Sequence, residues 1–358
     1  MSFRSTAAFA PTMVTVALLL IGLPAAASSE APRAAHDYRF IRGVTITCFR
    51  WGPGEWDRPI MKRTLDDVAD LGATWAAIHP YASIGNDGRI GYRADLVAPA
   101  VSKPTRWARR RGLQVMVKPH LAYWGSRFDN RLEIDFGDDE AAWDRFFAGY
   151  RRFIIHQAKL AEAAGARLFV VGTELDATVR HEKRWRSIIE AVDAVFHGEL
   201  TYAANHDKYE KVPFWDALDC VGVQAYWPVS DADRPSEADL AAGWRKRLEA
   251  VAAFAAARDK MVLLTELGYA ASADAARRPW SSRRVTRPTG HDPERLKLIA
   301  VRTALAEIER HPRVAGAFLW KWFPTEREVR REFALQYPAM RRILRLAWAQ
   351  PPMRLNER

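Results

Sequence analysis

The stretch "RLFVVGTELDA", residues 167–177, decides how the chain folds. Four apolar residues, Leu168 to Val171, run without interruption into Gly172, Thr173, Glu174 and Leu175. A short apolar run bounded by glycine reads as a strand buried on both faces, the kind found in parallel sheets. This strand delivers a carboxylate at its end. The pattern returns in "MVLLTELGYA", residues 261–270, where Val262 to Leu264 lead into Thr265, Glu266 and Leu267.

Outward from these two segments, apolar runs alternate with helical patterns. Strands are predicted at 40–49, 74–81, 113–121, 167–173, 199–205, 219–226, 261–267 and 314–322. Helices are predicted at 61–72, in the latter part of 92–112, and at 139–165, 182–196, 237–257 and 293–310, with a helical tail over 327–348. Gly72, Gly112 and Gly165 stand where helices should stop. Eight strands with helices between most of them imply the α/β class and a single (β/α)8 TIM barrel. A doubly wound open sheet would need a glycine-rich phosphate loop after a strand, and no strand here is followed by one.

The chain has 358 residues, 49% hydrophobic and 27% charged, a globular composition. Residues 1–27 read as a signal peptide. Arg4 supplies the positive start, Met13 to Leu23 the apolar core, and Ala25 and Ala27 a cleavage site. An uncleaved anchor is the alternative. Residues 28–37 read as a flexible polar segment and 38–350 as the barrel domain. A secreted or periplasmic protein is expected. No later stretch is long and apolar enough to insert stably in a membrane. Cys48 falls at the end of the first strand and Cys220 at the start of the sixth, at opposite ends of a barrel, so no bridge is expected. The net charge of +11 is dispersed among acids, with no arginine-aromatic pattern of a nucleic-acid module. A monomer is expected.

Barrel enzymes carry their chemistry at the C-terminal ends of the strands. In order, those ends hold Trp51; His79 and Tyr81; Lys118 and His120, with Tyr123 and Trp124 beyond; Thr173 and Glu174; Asn205 and His206; Gln224, Tyr226 and Trp227; Thr265 and Glu266; and Trp320, Lys321 and Trp322. Aromatic rings suit the apolar faces of sugars, and amides, imidazoles and ammonium groups suit their hydroxyls. Glu174 and Glu266 are the predicted catalytic pair. Two carboxyl groups about 5 Å apart define a retaining glycosidase, and the charge of one should raise the pKa of the other, keeping it protonated as the acid. A metal site at His79, His120 and His206 has no ligand spacing to support it, and no cofactor motif is present. Lys118 on an apolar strand should face the cavity and meet a carboxylate or hydroxyl. Trp51, Trp124, Trp227 and Trp322 are possible sugar platforms; Trp75, Trp107, Trp143, Trp185 and Trp244 read as core. The polar connection at 271–293 is long enough to edge or cover a binding site.

The segments "RGVTITCF", "WAAIHPYA", "VMVKPHLAYWG", "VVGTELDAT", "LTYAANHD", "VGVQAYWPV", "LLTELGYA" and "AGAFLWKWFP" span residues 42–324 and together resemble clan A glycoside hydrolases, more narrowly glycoside hydrolase family 113. The resemblance implies a (β/α)8 barrel with endo-β-1,4-mannanase activity and no cofactor. It also implies Glu174 as acid/base, Glu266 as nucleophile, Tyr226 as the tyrosine contacting the nucleophile and Trp320 as the aromatic under the reacting sugar. Most clan A members carry Asn before the acid/base, to bind the sugar 2-hydroxyl. Thr173 stands there, as in the family 113 type, and Asn205 or His206 would have to take over that contact. Two other readings remain open: the same mechanism on another β-glycan, anionic envelope polymers included, and a non-catalytic carbohydrate-binding barrel.

Overall fold

Eight parallel strands close on themselves, each delivered by an apolar run. The computed structural model describes residues 40–48, 55–283, 292–324 and 333–350. The expected signal peptide, the segment 28–37 and Trp51 lie outside them. In chain order the strands are β1 (Ile41–Ile46), β2 (Trp75–Ile78), β3 (Tyr81–Ile84), β4 (Ile90–Gly91), β5 (Gln114–Val117), β6 (His120–Ala122), β7 (Leu168–Thr173), β8 (Glu199–Asn205), β9 (Cys220–Gln224), β10 (Met261–Leu267) and β11 (Val314–Trp322). The helices are α1 (Pro59–Ala69), α2 (Ala94–Arg110), α3 (Glu140–Ala164), α4 (Glu182–Asp193), α5 (Glu237–Ala256), α6 (Pro293–Arg310) and α7 (Pro338–Ala347). The barrel runs β1-β2-β5-β7-β8-β9-β10-β11 and returns to β1. Thus β7 is its fourth strand and β10 its seventh. Among the described residues no helix is long and apolar enough to cross a membrane.

Three sequence expectations need correction. Strands predicted at 74–81 and 113–121 are each split, at Pro80 and Pro119. A proline offers no N–H to a ladder. Beyond it, β3 and β6 re-pair in parallel, Tyr81 opposite His120, and β4 joins β3 antiparallel in a small side sheet. Helix α2 starts at Ala94 and runs through Pro99 and Pro104. Its buried stripe of Val97, Ala100, Val101, Pro104 and Ala108, at helical spacing, packs toward α3 and holds the helix together despite the lost N–H donors. The tail helix begins only at Pro338, an N-terminal position that suits a proline, and residues 333–337 before it are not helical.

The barrel interior is layered. Its floor is apolar, built from Ile41, Trp75, Met116, Leu168, Leu263 and Phe318, with Cys220 among them. Cys48 and Cys220 are both free and buried. Above the floor the inward side chains turn polar: Thr45, His79, Lys118, Thr201, Gln224 and Thr265 are all buried. The helices cover the outside. Trp143, Trp185 and Trp244 are fully buried against them, Trp75 lies in the barrel floor, and Trp107 is half-buried. Helix ends follow local chemistry: Asp139 caps α3, Gly165 ends it in the left-handed conformation at φ 79°, and Ser236 with Asp239 forms a capping box on α5.

Candidate active site

The polar layer leads up to Glu266. Its Oε2 accepts a 2.6 Å hydrogen bond from the Tyr226 hydroxyl, and its Oε1 accepts from the Lys118 ammonium. The Lys118 Nζ also donates to the Gln224 Oε1 at 3.0 Å, and the Thr265 hydroxyl donates to the same oxygen at 3.2 Å. All these groups are buried; the Glu266 side chain is 4% exposed. Burial pulls the lysine below its ordinary pKa, against the pull of Glu266, and burial pushes the Tyr226 phenol well up. Lys118 thus stands on an apolar strand because a carboxylate compensates it. The His120 Nε2 lies 4.0 Å from Glu266, and neither nitrogen of its ring has a hydrogen-bond partner among the described residues.

Glu174 approaches from the other side and is held differently. It is one of two described non-glycine residues with positive φ, at 53°. Its backbone N–H donates to the Ala203 carbonyl, and the next N–H, of Leu175, donates to the Tyr202 hydroxyl at 2.9 Å. Gly172 makes room for that tyrosine: a Cβ there would sit 2.7 Å from the Tyr202 ring and 2.6 Å from Trp185. So the glycine of "VVGTEL" lets the ring beneath fix the turn that presents Glu174. The carboxyl, 17% exposed, accepts from the Arg131 guanidinium at 2.5 Å.

Arg131 comes from a short turn (Arg131–Glu133) after the third barrel strand, capped by the Asn130 side chain. Burial alone would raise the Glu174 pKa. The charge and hydrogen bond of Arg131, then Gln224 and Lys118, instead bring it below the ordinary value. Gln224 acts there by proximity, since its Nε2 makes no hydrogen bond of ordinary geometry. The expected upward shift is therefore corrected. Lys118 neutralises Glu266, and Arg131 is the strongest charge on Glu174.

Around the glutamates stand the aromatic and imidazole groups. The half-buried Trp320 ring lies 6.2 Å from His120 in a stacked arrangement and 5.6 Å from His79. Tyr81 makes edge contacts with both imidazoles. His79 bonds to the Thr47 hydroxyl at 2.8 Å, and burial lowers both His79 and His120 well below the usual histidine pKa, leaving them neutral. Trp124, 54% exposed, borders Tyr81 and the half-buried Tyr123 on the rim. A cleft of about 600 Å³ opens beside this group, walled by Tyr81, Trp124, Lys321, Trp56 and Tyr92; neither glutamate lines it.

Asn205 and His206 hold each other, the Asn205 Oδ1 accepting from the His206 backbone N–H. The His206 ring stacks at 5.6 Å on Trp280, from the connection after β10. That connection is described as far as residue 283. His79 and His120 lie side by side, their ring centroids 5.0 Å apart, and among the described residues no three His, Cys, Asp or Glu side chains gather to hold a metal ion.

Three expected contact residues face elsewhere. The Thr173 hydroxyl donates to the Pro119 carbonyl at 3.2 Å. Trp227 is buried edge-on against Trp244, its Nε1 donating to the His206 carbonyl. Trp322 belongs to the outer core, with Arg341 over its ring. Here the register between β1 and β11 slips: Thr45 pairs with Trp320 and Ile46 with Trp322. The extra residue, Lys321, reverses the strand's alternation and sends Trp322 outward while Trp320 faces in. Two residues of the site were not singled out in the sequence, Arg131 and Gln224. Gln224 was visible as a strand end, but Arg131 sits in a polar stretch without periodicity.

A parallel (β/α)8 barrel with carboxylates at the ends of its fourth and seventh strands is the frame of a glycoside hydrolase. The chain belongs to Glycoside Hydrolase Family 113, whose model matches residues 47–334. Among solved structures it is similar to the GH113 β-mannanase AaManA from Alicyclobacillus acidocaldarius in complex with ManMIm, at 25% identity and TM-score 0.72, over 87% of this chain and 98% of that one. A GH113 β-1,4-mannanase complex matches at 21% identity and TM-score 0.73, over 87% and 99%. A family 5 mannosidase from Rhizomucor miehei, with mannosyl-fructose, shares the fold at 12% identity and TM-score 0.60, over 87% and 92%. No curated protein matches the chain.

Proposed function

We propose that the protein is an exported, retaining, endo-acting β-glycosidase whose substrate is β-1,4-mannan. The observation that carries the mechanism is the setting of Glu266: a buried carboxylate oriented by the Tyr226 hydroxyl and the Lys118 ammonium, at the end of the seventh barrel strand, with Glu174 at the end of the fourth. In this reading a Glu266 oxygen attacks the anomeric carbon and the glycosidic bond breaks. Glu174 gives its proton to the leaving oxygen, then takes one from the water that releases the sugar from Glu266. Trp320 lies under the reacting ring, and the unpartnered His120 nitrogens offer hydrogen bonds to its hydroxyls. Mannan as substrate is supported by family membership and by the mannanases that the chain resembles. Export is supported by the leader-like residues 1–27.

The test is product analysis. Residues 28–358 are incubated with mannan, glucomannan, β-1,4-glucan, xylan and galactan, with Glu266→Gln beside them. Oligosaccharides from mannan that the substitution abolishes, released first with the anomeric configuration of the substrate, are expected. Release from another polymer alone overturns the substrate, and first products of inverted configuration overturn the mechanism.

A further inference from the structure

An acid catalyst must be protonated before it acts, yet the strongest partner of Glu174 favours its ionised form. The Arg131 guanidinium donates to the Glu174 Oε2 at 2.5 Å, and both side chains are only 17% exposed, so solvent screens the pair weakly. The turn that carries Arg131 is anchored on both sides, by the buried Phe128 before it and the buried Ile134 and Phe136 after it. The backbone is thus held on both sides, and the long side chain spans from it to Glu174. The Arg131 Nε is buried with no hydrogen-bond partner among the described residues. The guanidinium therefore keeps one donor unused beside Glu174, and its side chain is 17% exposed, so a glycan held by the two glutamates would bring hydroxyl oxygens near it.

Resting on the glycosidase reading above, we infer that Arg131 is a positioning residue that keeps Glu174 ionised in the empty enzyme and yields it to protonation when glycan oxygens take over the guanidinium. The acid is then made in the complex. One proton enters from solvent as glycan binds, and it is the proton later given to the leaving oxygen. Other groups also face Glu174: Lys118 just past β5, Tyr202 from β8 and His206 just past it, Gln224 and Tyr226 at and after β9, and Asp176 two residues along; Glu266, from β10, shares Lys118 and Tyr226 with it. Of the cations among these neighbours, Arg131 is the one bonded directly to the Glu174 carboxyl; Lys118 is engaged by Glu266.

The experiment compares pH profiles of kcat/KM, which report the free enzyme, with those of kcat, which report the complex. Activity should fall as pH rises through the Glu174 pKa. In the parent protein the alkaline limb of kcat/KM should lie below that of kcat. In Arg131→Gln the kcat/KM limb should move up by about one pH unit, toward that of kcat. Arg131→Lys, which keeps the charge, should stay close to the parent. A limb that does not move in Arg131→Gln while the rate falls would reduce Arg131 to a structural role, and so would coincident limbs in the parent.

A second readout needs no turnover and no change at Arg131. Carbon-13 NMR of the carboxyl groups, with Glu174→Gln to assign the signal, should show Glu174 titrating below an ordinary glutamate. Addition of a mannan oligosaccharide should raise it. A Glu174 that titrates at or above the ordinary value in the empty enzyme overturns the inference even if every polysaccharide assay succeeds. Absence of hydrolysis overturns the glycosidase reading while this titration still decides the Arg131–Glu174 link.

Discussion

The ends of β7 and β10 are both written Thr-Glu-Leu, and they deliver two carboxylates of opposite character. Glu266 lies within its strand, where the pairing slips register against both neighbours, is almost wholly buried, and is held by Lys118 and Tyr226. Glu174 follows its strand in the left-handed conformation, is more exposed, and answers to Arg131. The threonines differ too: Thr265 bonds to Gln224 inside the barrel, whereas Thr173 turns to the Pro119 carbonyl. A tripeptide does not set the chemistry of its carboxylate; the side chains that other elements bring against it do. A fixed, oriented group suits a nucleophile. A group with access to solvent protons suits an acid that must later become a base.

The largest expected effect separates those roles. Glu266→Gln and Glu174→Gln should each lower kcat on polysaccharide, by about 10⁴-fold or more for Glu266 and about 10²–10⁴-fold for Glu174. An aryl β-glycoside whose leaving group needs no protonation should divide them. Glu174→Gln should still release a burst of phenol as the glycosyl-enzyme forms, and Glu266→Gln should release none. A burst in Glu266→Gln would reverse the assignment.

Next in size is Lys118→Met. Removing one partner of a buried ion pair strands the other, at a cost of about 3–5 kcal/mol. Thermal melting checks this, with kcat measured on the same variant. Unchanged melting would mean that Lys118 and Glu266 do not depend on each other as a buried pair.

Much of this was legible in the chain. The strands at 199–205, 261–267 and 314–322 and the helix at 293–310 fall where the sequence places them, because apolar runs and capping residues are local signals. The split of two strands at Pro80 and Pro119 was also written there, in the missing N–H of each proline, but re-pairing into a side sheet needs two segments side by side. Arg131 lies 43 residues from the carboxylate it controls. No spacing rule joins a polar loop to a strand end over that distance. The direction of the Glu174 shift was misjudged for the same reason: the second glutamate was visible and the guanidinium was not. Trp322 was misplaced because one extra residue in the ladder reverses inward and outward.

The smallest effect concerns Asp176, which shares the Glu174 turn without its cation. Burial, then the charges of Glu174 and Asp207, push its carboxyl up to about 7, with Lys208 and Lys211 pulling the other way. One of its oxygens is buried with no hydrogen-bond partner among the described residues. The folded protein then binds a proton at Asp176 that the unfolded chain, with a pKa near 3.9, releases. Between those values unfolding loses a proton, so stability declines as pH rises from about 4 to about 7. Asp176→Asn removes that decline. It should melt with the parent at pH 4 and be more stable by about 2 kcal/mol at pH 8, less than the full shift implies because the side chain is partly solvated. Equal differences in melting temperature at both pH values would show that the substitution acts through packing, and that the charge of Glu174 does not reach its neighbour.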